Sequence, residues 1–107
     1  MKHQAVSLLL LTMGLSSAWA QNDKDTLDLL KASGCMTCHA TAEKVVGPSF
    51  QAIAAKYAGQ ADAVDTLSQS VRNGSRGKWG RVPMPPHASL SAPDLKTLSS
   101  WVLAQKP

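Results

Sequence analysis

An all-α domain of about four helices is the architecture this 107-residue chain predicts, and three features lead to it. Four stretches repeat apolar residues at offsets of three and four, while no stretch of useful length alternates apolar and polar residues. A C-x-x-C-H run, Cys35-Met36-Thr37-Cys38-His39, places two thiols and an imidazole close together. Only 5% of the residues are aromatic, which leaves a small chain short of bulky side chains with which to close a core. Together these imply helices wrapped around one covalently bound c-type haem, which would supply the missing apolar volume.

The chemistry of the motif accounts for its spacing. Two thiols on one helical turn can add to the two vinyl groups of one porphyrin and form thioethers at Cys35 and Cys38. His39 then stands over the iron, where a neutral imidazole nitrogen can coordinate it. A bare C-x-x-C also occurs in zinc half-sites, thioredoxin-like redox pairs and short disulfides. Zinc needs four ligands, yet His3 and His87 are the only further histidines and no further cysteine exists. A thioredoxin-like pair calls for a βαβ pattern that is absent, and a disulfide leaves His39 without a role.

Residues 1–20 read as a cleaved signal peptide. Lys2 and His3 give a basic start, Ala5 to Leu15 is largely apolar, and Ala18-Trp19-Ala20 forms an A-x-A site. The apolar run is too short and interrupted to span a membrane. Residues 21–107 remain as one domain, expected in the periplasm, where c-type haem is attached. Thioether formation there leaves no thiol exposed to an oxidising compartment.

The mature stretch divides into helices in order. Asp25 to Ser33 is predicted as the first, with Leu27 and Leu30 on one face, Leu29 beside them, and Gly34 ending it. Ser49 caps a second, with Phe50, Ile53, Ala54 and Tyr57 on one side and Gly59 beyond its end. Asp62 begins a third, carrying Val64, Leu67 and Val71, with Arg72 near its negative end. Ser91-Ala92-Pro93-Asp94 starts the last, striped by Leu95, Leu98, Trp101 and Val102. Between the third and last helices, Gly74 to Leu90 is a long irregular segment with three glycines and three prolines. Loops of that length in a compact domain usually carry function.

That loop supplies the candidate for the other side of the iron. Met1 and Met13 leave with the signal peptide, and Met36 is pinned between the two attached cysteines. Met84 alone is left to reach the far face, from a segment stiffened by Pro83, Pro85 and Pro86. His87 is the rival sixth ligand, and an open site would instead allow gas binding or peroxide chemistry.

The order of C-M-T-C-H, V-G-P-S-F, W-G-R-V-P-M-P-P and L-K-T-L-S-S-W-V-L closely resembles the short class I bacterial monohaem cytochromes c. Within them it is similar to the cytochrome c-eight type, soluble periplasmic electron carriers. The resemblance covers essentially the whole mature chain. It implies the small class I fold, one haem c per chain, His39 and Met84 as axial ligands, and no enzyme activity of its own. It also implies a Pro48 carbonyl that accepts the His39 Nδ1–H, a Trp79 indole that donates to a haem propionate, and a Trp101 that packs the last helix against the first. Where the family often has asparagine after M-P-P, this chain has His87. The rivals to a freely diffusing carrier are a haem-bearing subunit of a larger oxidoreductase and a haem sensor or peroxidase with a labile sixth ligand.

Charge bears on the partner. Removing Lys2 leaves ten cationic against seven acidic side chains, formally +3. Four of those cations, Arg72, Arg76, Lys78 and Arg81, fall within ten residues that contain no acid. No basic run interleaves with aromatics, so nucleic acid is not an expected partner. The expected partners of this monomer are periplasmic redox proteins with an acidic docking surface: a quinol–cytochrome c reductase on one side, and a nitrite reductase, peroxidase or terminal oxidase on the other.

Overall fold

A computed structural model describes residues 18–107, with side chains from Asp23 onward. Residues 1–17, and so most of the expected signal peptide, lie outside the described residues. The described chain forms five helices: α1 (Ala18–Ala32), α2 (Cys35–Cys38), α3 (Phe50–Tyr57), α4 (Ala63–Asn73) and α5 (Ala92–Leu103). The four expected helices are α1, α3, α4 and α5. The fifth, α2, is the single turn that bears the cysteines. Among the described residues the extended pairing is limited to two isolated bridges.

The helix boundaries follow local chemistry. Ser49 accepts a hydrogen bond from the Ala52 amide at 3.0 Å, and Ser91 accepts one from the Asp94 amide at 3.2 Å. Each satisfies an amide that the first turn otherwise leaves unpaired. Asp62 stands before α4 without such a bond. Helix α1 begins at Ala18, seven residues before the expected Asp25. Ala18-Trp19-Ala20-Gln21 contains no breaker, and alanine favours the helix, so nothing in the uncut chain halts it there. Asp23 and Asp25 consequently lie inside the helix.

Helix α5 is the keystone, packing against α4, α3 and α1. Leu30, Phe50, Ile53, Tyr57, Ala63, Leu67 and Leu98 form the buried cluster, joined at its margin by Trp79, Trp101 and Val102. Of the leucines expected on the inner face of α1, Leu30 is only 1% exposed but Leu27 is 36% exposed. Three residues of helix advance by 300°, so the pair is separated by 60° and only one points straight inward. A polar pair fastens the keystone: Ser99, buried in α5, meets the Ser68 hydroxyl of α4 at 3.1 Å. Each hydroxyl gives the other a partner, which removes the cost of burying it alone.

Candidate haem-binding site

The first wall is built by α2 and the loop that follows. Cys35 and Cys38 are both half-buried and line one cleft together with His39. Burial pushes the Cys35 thiol above its ordinary pKa, so it stays protonated at neutral pH. His39 ends the turn in extended conformation, its amide donating to the Cys35 carbonyl at 3.0 Å. Its ring Nδ1 lies 2.7 Å from the Pro48 carbonyl oxygen. A carbonyl can only accept, so Nδ1 carries the proton and Nε2 is left with the lone pair. That is the tautomer in which Nε2 can bind a metal.

The loop from Ala40 to Ser49 is folded tightly enough to bring Pro48 there. The Cys38 carbonyl accepts from the amides of Val46 and Gly47, and the Ala40 carbonyl accepts from Phe50. Gly47 is required by proximity. A Cβ on it would come within 2.7 Å of His39 Cε1 and within 3.2 Å of Nε2, so the ring lies directly on its backbone. The ring also stacks on Phe50, with centroids 5.3 Å apart and planes at 22°. Phe50 in turn meets Trp101 edge-on at 5.3 Å, which ties the His39 wall to α5. Trp101 thus packs through Phe50 of α3.

The second wall is the irregular segment from Gly74 to Leu90. Met84 lines the same cleft as His39, and its backbone is held by a two-bond bridge to Ser75, with N–H···O distances of 3.0 and 2.9 Å. Gly74, at φ +79°, precedes this bridge, and a Cβ there would come within 2.7 Å of the Met84 carbonyl oxygen. His87 is placed differently. Its amide donates to the Val71 carbonyl at 2.9 Å, its Nδ1 is buried without a hydrogen-bond partner, and its side chain does not line the cleft.

Between these walls lies an apolar cleft that opens to solvent at its mouth. Leu30, Phe50, Ile53, Leu67 and Leu98 form its inner lining, with Val71 and Val102 beside them. Trp79 stands at the lining as well, with Lys56 Nζ 4.4 Å from its ring centroid. The set fits a porphyrin: carbon-lined space for the macrocycle, two thiols on one turn for its vinyl groups, and an oriented imidazole for its iron. It does not fit zinc, because no group of three or more His, Cys, Asp or Glu among the described residues could hold a metal ion.

Cys35, Cys38, His39, Pro48, Trp79 and Met84 therefore all border this cleft. Gly47, Gly74, Ser75 and Phe50 also shape it, and sequence reasoning gave them no role at the site. Gly47 and Phe50 lie inside the V-G-P-S-F run that flanks Pro48, which was the available signal. Nothing in the sequence pairs Ser75 with Met84.

Fold and cleft define a small helical protein that carries one covalently attached haem. The family model for cytochrome c matches residues 28–106. Cytochrome c-551 of Pseudomonas aeruginosa is 47% identical over 108 residues, covering 99% of this chain and all of that protein. Cytochrome c-552 of Nitrosomonas europaea is 44% identical over 92 residues, 86% of each chain. The crystal structure of wild-type cytochrome c552 from that organism superposes with a TM-score of 0.72 at 45% identity, covering 75% of this chain and 99% of the other. The chain belongs to the cytochrome c family, as a small class I monohaem member whose cofactor is haem c, and it is an electron carrier. Among the described residues no helix is long and apolar enough to cross a membrane.

Proposed function

We propose that the protein is a periplasmic one-electron shuttle in which His39 and Met84 are the axial ligands of the haem iron. One observation carries this reading: Met84 lines the same cleft as His39, while His87 does not. Haem c, when bound, supplies a ferric/ferrous couple whose potential is raised by a thioether ligand relative to a second imidazole. The chain's own residues do the rest. Pro48 holds His39 in one tautomer, Ser75 and the neighbouring prolines hold Met84, and the apolar lining keeps water away. Ligands fixed in this way rearrange little when one electron arrives or leaves, which keeps transfer fast. Trp79, at the lining of the cleft, would donate its indole N–H to a haem propionate.

In this reading the signal peptide is removed after Ala20, and the mature monomer transforms no substrate by itself. It carries electrons from a quinol–cytochrome c reductase to a nitrite reductase, peroxidase or terminal oxidase. The discriminating experiment is absorption spectroscopy of two variants. Met84→Ala should keep the haem covalently bound, lose the methionine-sulfur-to-iron charge-transfer band and bind carbon monoxide. His87→Ala should keep that band. The reverse pattern would make His87 the ligand, and carbon monoxide binding by the unmodified ferrous protein would favour a sensor or peroxidase.

A further inference from the structure

Haem is amphipathic: most of its surface is hydrocarbon, but it carries two propionate carboxylates at one edge. Those carboxylates need partners, because a buried carboxylate without one is strongly disfavoured. The side chains that line the cleft offer little. Apart from His39, the iron-side histidine, the polar residues at the lining are Cys35, Cys38, Ser75, Ser99, Trp79 and Lys78. Lys78 is the one fixed cation among them, and none is an acid.

Lys78 is also held in place. Its Nζ, at the exposed surface, donates to the Ser70 hydroxyl of α4 at 3.2 Å. Its own carbonyl accepts from Lys56 Nζ of α3 at 3.3 Å, and the same Lys56 ammonium stands over the Trp79 ring. The loop is thus braced at Lys78 and Trp79 by two helices, and these two adjacent residues both line the cleft.

We propose that Lys78 is the counter-ion of a haem propionate, and a positioning residue that helps set the reduction potential, with Lys56 bracing the loop that presents it. The proposal rests on the haem and is independent of the identity of the sixth ligand. It divides the basic stretch into two roles. Lys78 serves the cofactor, while Arg72, Arg76 and Arg81, which do not line the cleft, are left for the surface. The sign of the effect follows from charge. An uncompensated carboxylate near the iron favours the ferric state, so losing the lysine lowers the potential.

The test is potentiometric titration of the holoprotein with small-molecule mediators, which requires no protein partner. It is run at pH 7 in about 0.5 M salt, where charges not in direct contact are screened. Lys78→Gln retains a group able to bond Ser70 but removes the charge. It should shift the ferric/ferrous equilibrium toward ferric about threefold, or about 28 mV for one electron, with the haem absorption spectrum unaltered. Lys78→Arg should restore the unmodified potential. Arg76→Gln, two residues away, should produce less than half the shift. An unchanged potential in Lys78→Gln, an equal shift in Arg76→Gln, or no rescue by arginine would each overturn the assignment.

Discussion

A single missing side chain orients the imidazole. With hydrogen at its Cα, Gly47 lets the His39 ring lie on the backbone, where Nδ1 reaches the carbonyl of the next residue, Pro48. A methyl there must displace the ring, because the nearest clash is 2.7 Å and the ring is already stacked on Phe50 of the core. Gly47→Ala should therefore weaken or lengthen the His39–Pro48 bond. The loss is expected at about 1–3 kcal/mol of stability, of the order seen when a buried donor loses its partner or a core is overpacked. Chemical denaturation of the holoprotein measures it, and the hyperfine-shifted proton resonances of the histidine ring report the reorientation. Wild-type stability together with unmoved resonances would show that the loop yields at no cost.

At the scale of elements, α1 presents a question that its own sequence creates. The helix starts at Ala18 and runs through the proposed cleavage point after Ala20. Trimming removes its first three residues, nine or more positions ahead of Leu29. The anchoring contact is Leu30, 1% exposed against the central cluster, with Leu29 beside it. Isolated helices of this length are marginal, so α1 depends on that contact more than on its N-terminal residues. The exported protein should consequently have the mass of residues 21–107 plus one haem, less ammonia where Gln21 has cyclised, and its helices should persist after the trimming. Intact mass spectrometry and far-ultraviolet dichroism check both statements. A mass retaining the first twenty residues would refute the processing.

Across the whole molecule, the surface around the cleft combines two chemistries. Val46 and Val82 line its mouth and are 48% and 64% exposed, and Met36 and Val45 add further exposed apolar area. Arg72 follows Val71, and Arg81 precedes Val82, so both cations adjoin residues of the cleft. A partner suited to this face offers apolar contact at its centre and acidic side chains at its margin. Long-range attraction of that kind acts mainly on association. The bimolecular rate with a physiological oxidant should fall as salt rises, and Arg72→Glu with Arg81→Glu should slow it further while leaving the haem spectrum unchanged. Stopped-flow kinetics across an ionic-strength series provides the check. A rate indifferent both to salt and to the double substitution would assign docking to the valine patch alone.

What was legible in the sequence was whatever depends on near neighbours. The thiol and imidazole spacing of Cys35, Cys38 and His39, the caps at Ser49 and Ser91 and the helical stripes all follow from chemistry within a few residues. Tertiary structure alone decided which backbone or side-chain groups meet across longer separations. It brought Ser75 to Met84, Lys78 to Ser70 and Lys56 to Trp79, and it buried Leu30 while leaving Leu27 exposed. The physical reason is that a spacing rule encodes the face of a helix or the reach of a cap. The path of a glycine- and proline-rich loop is settled only when the helices it joins have packed and fixed where its ends lie.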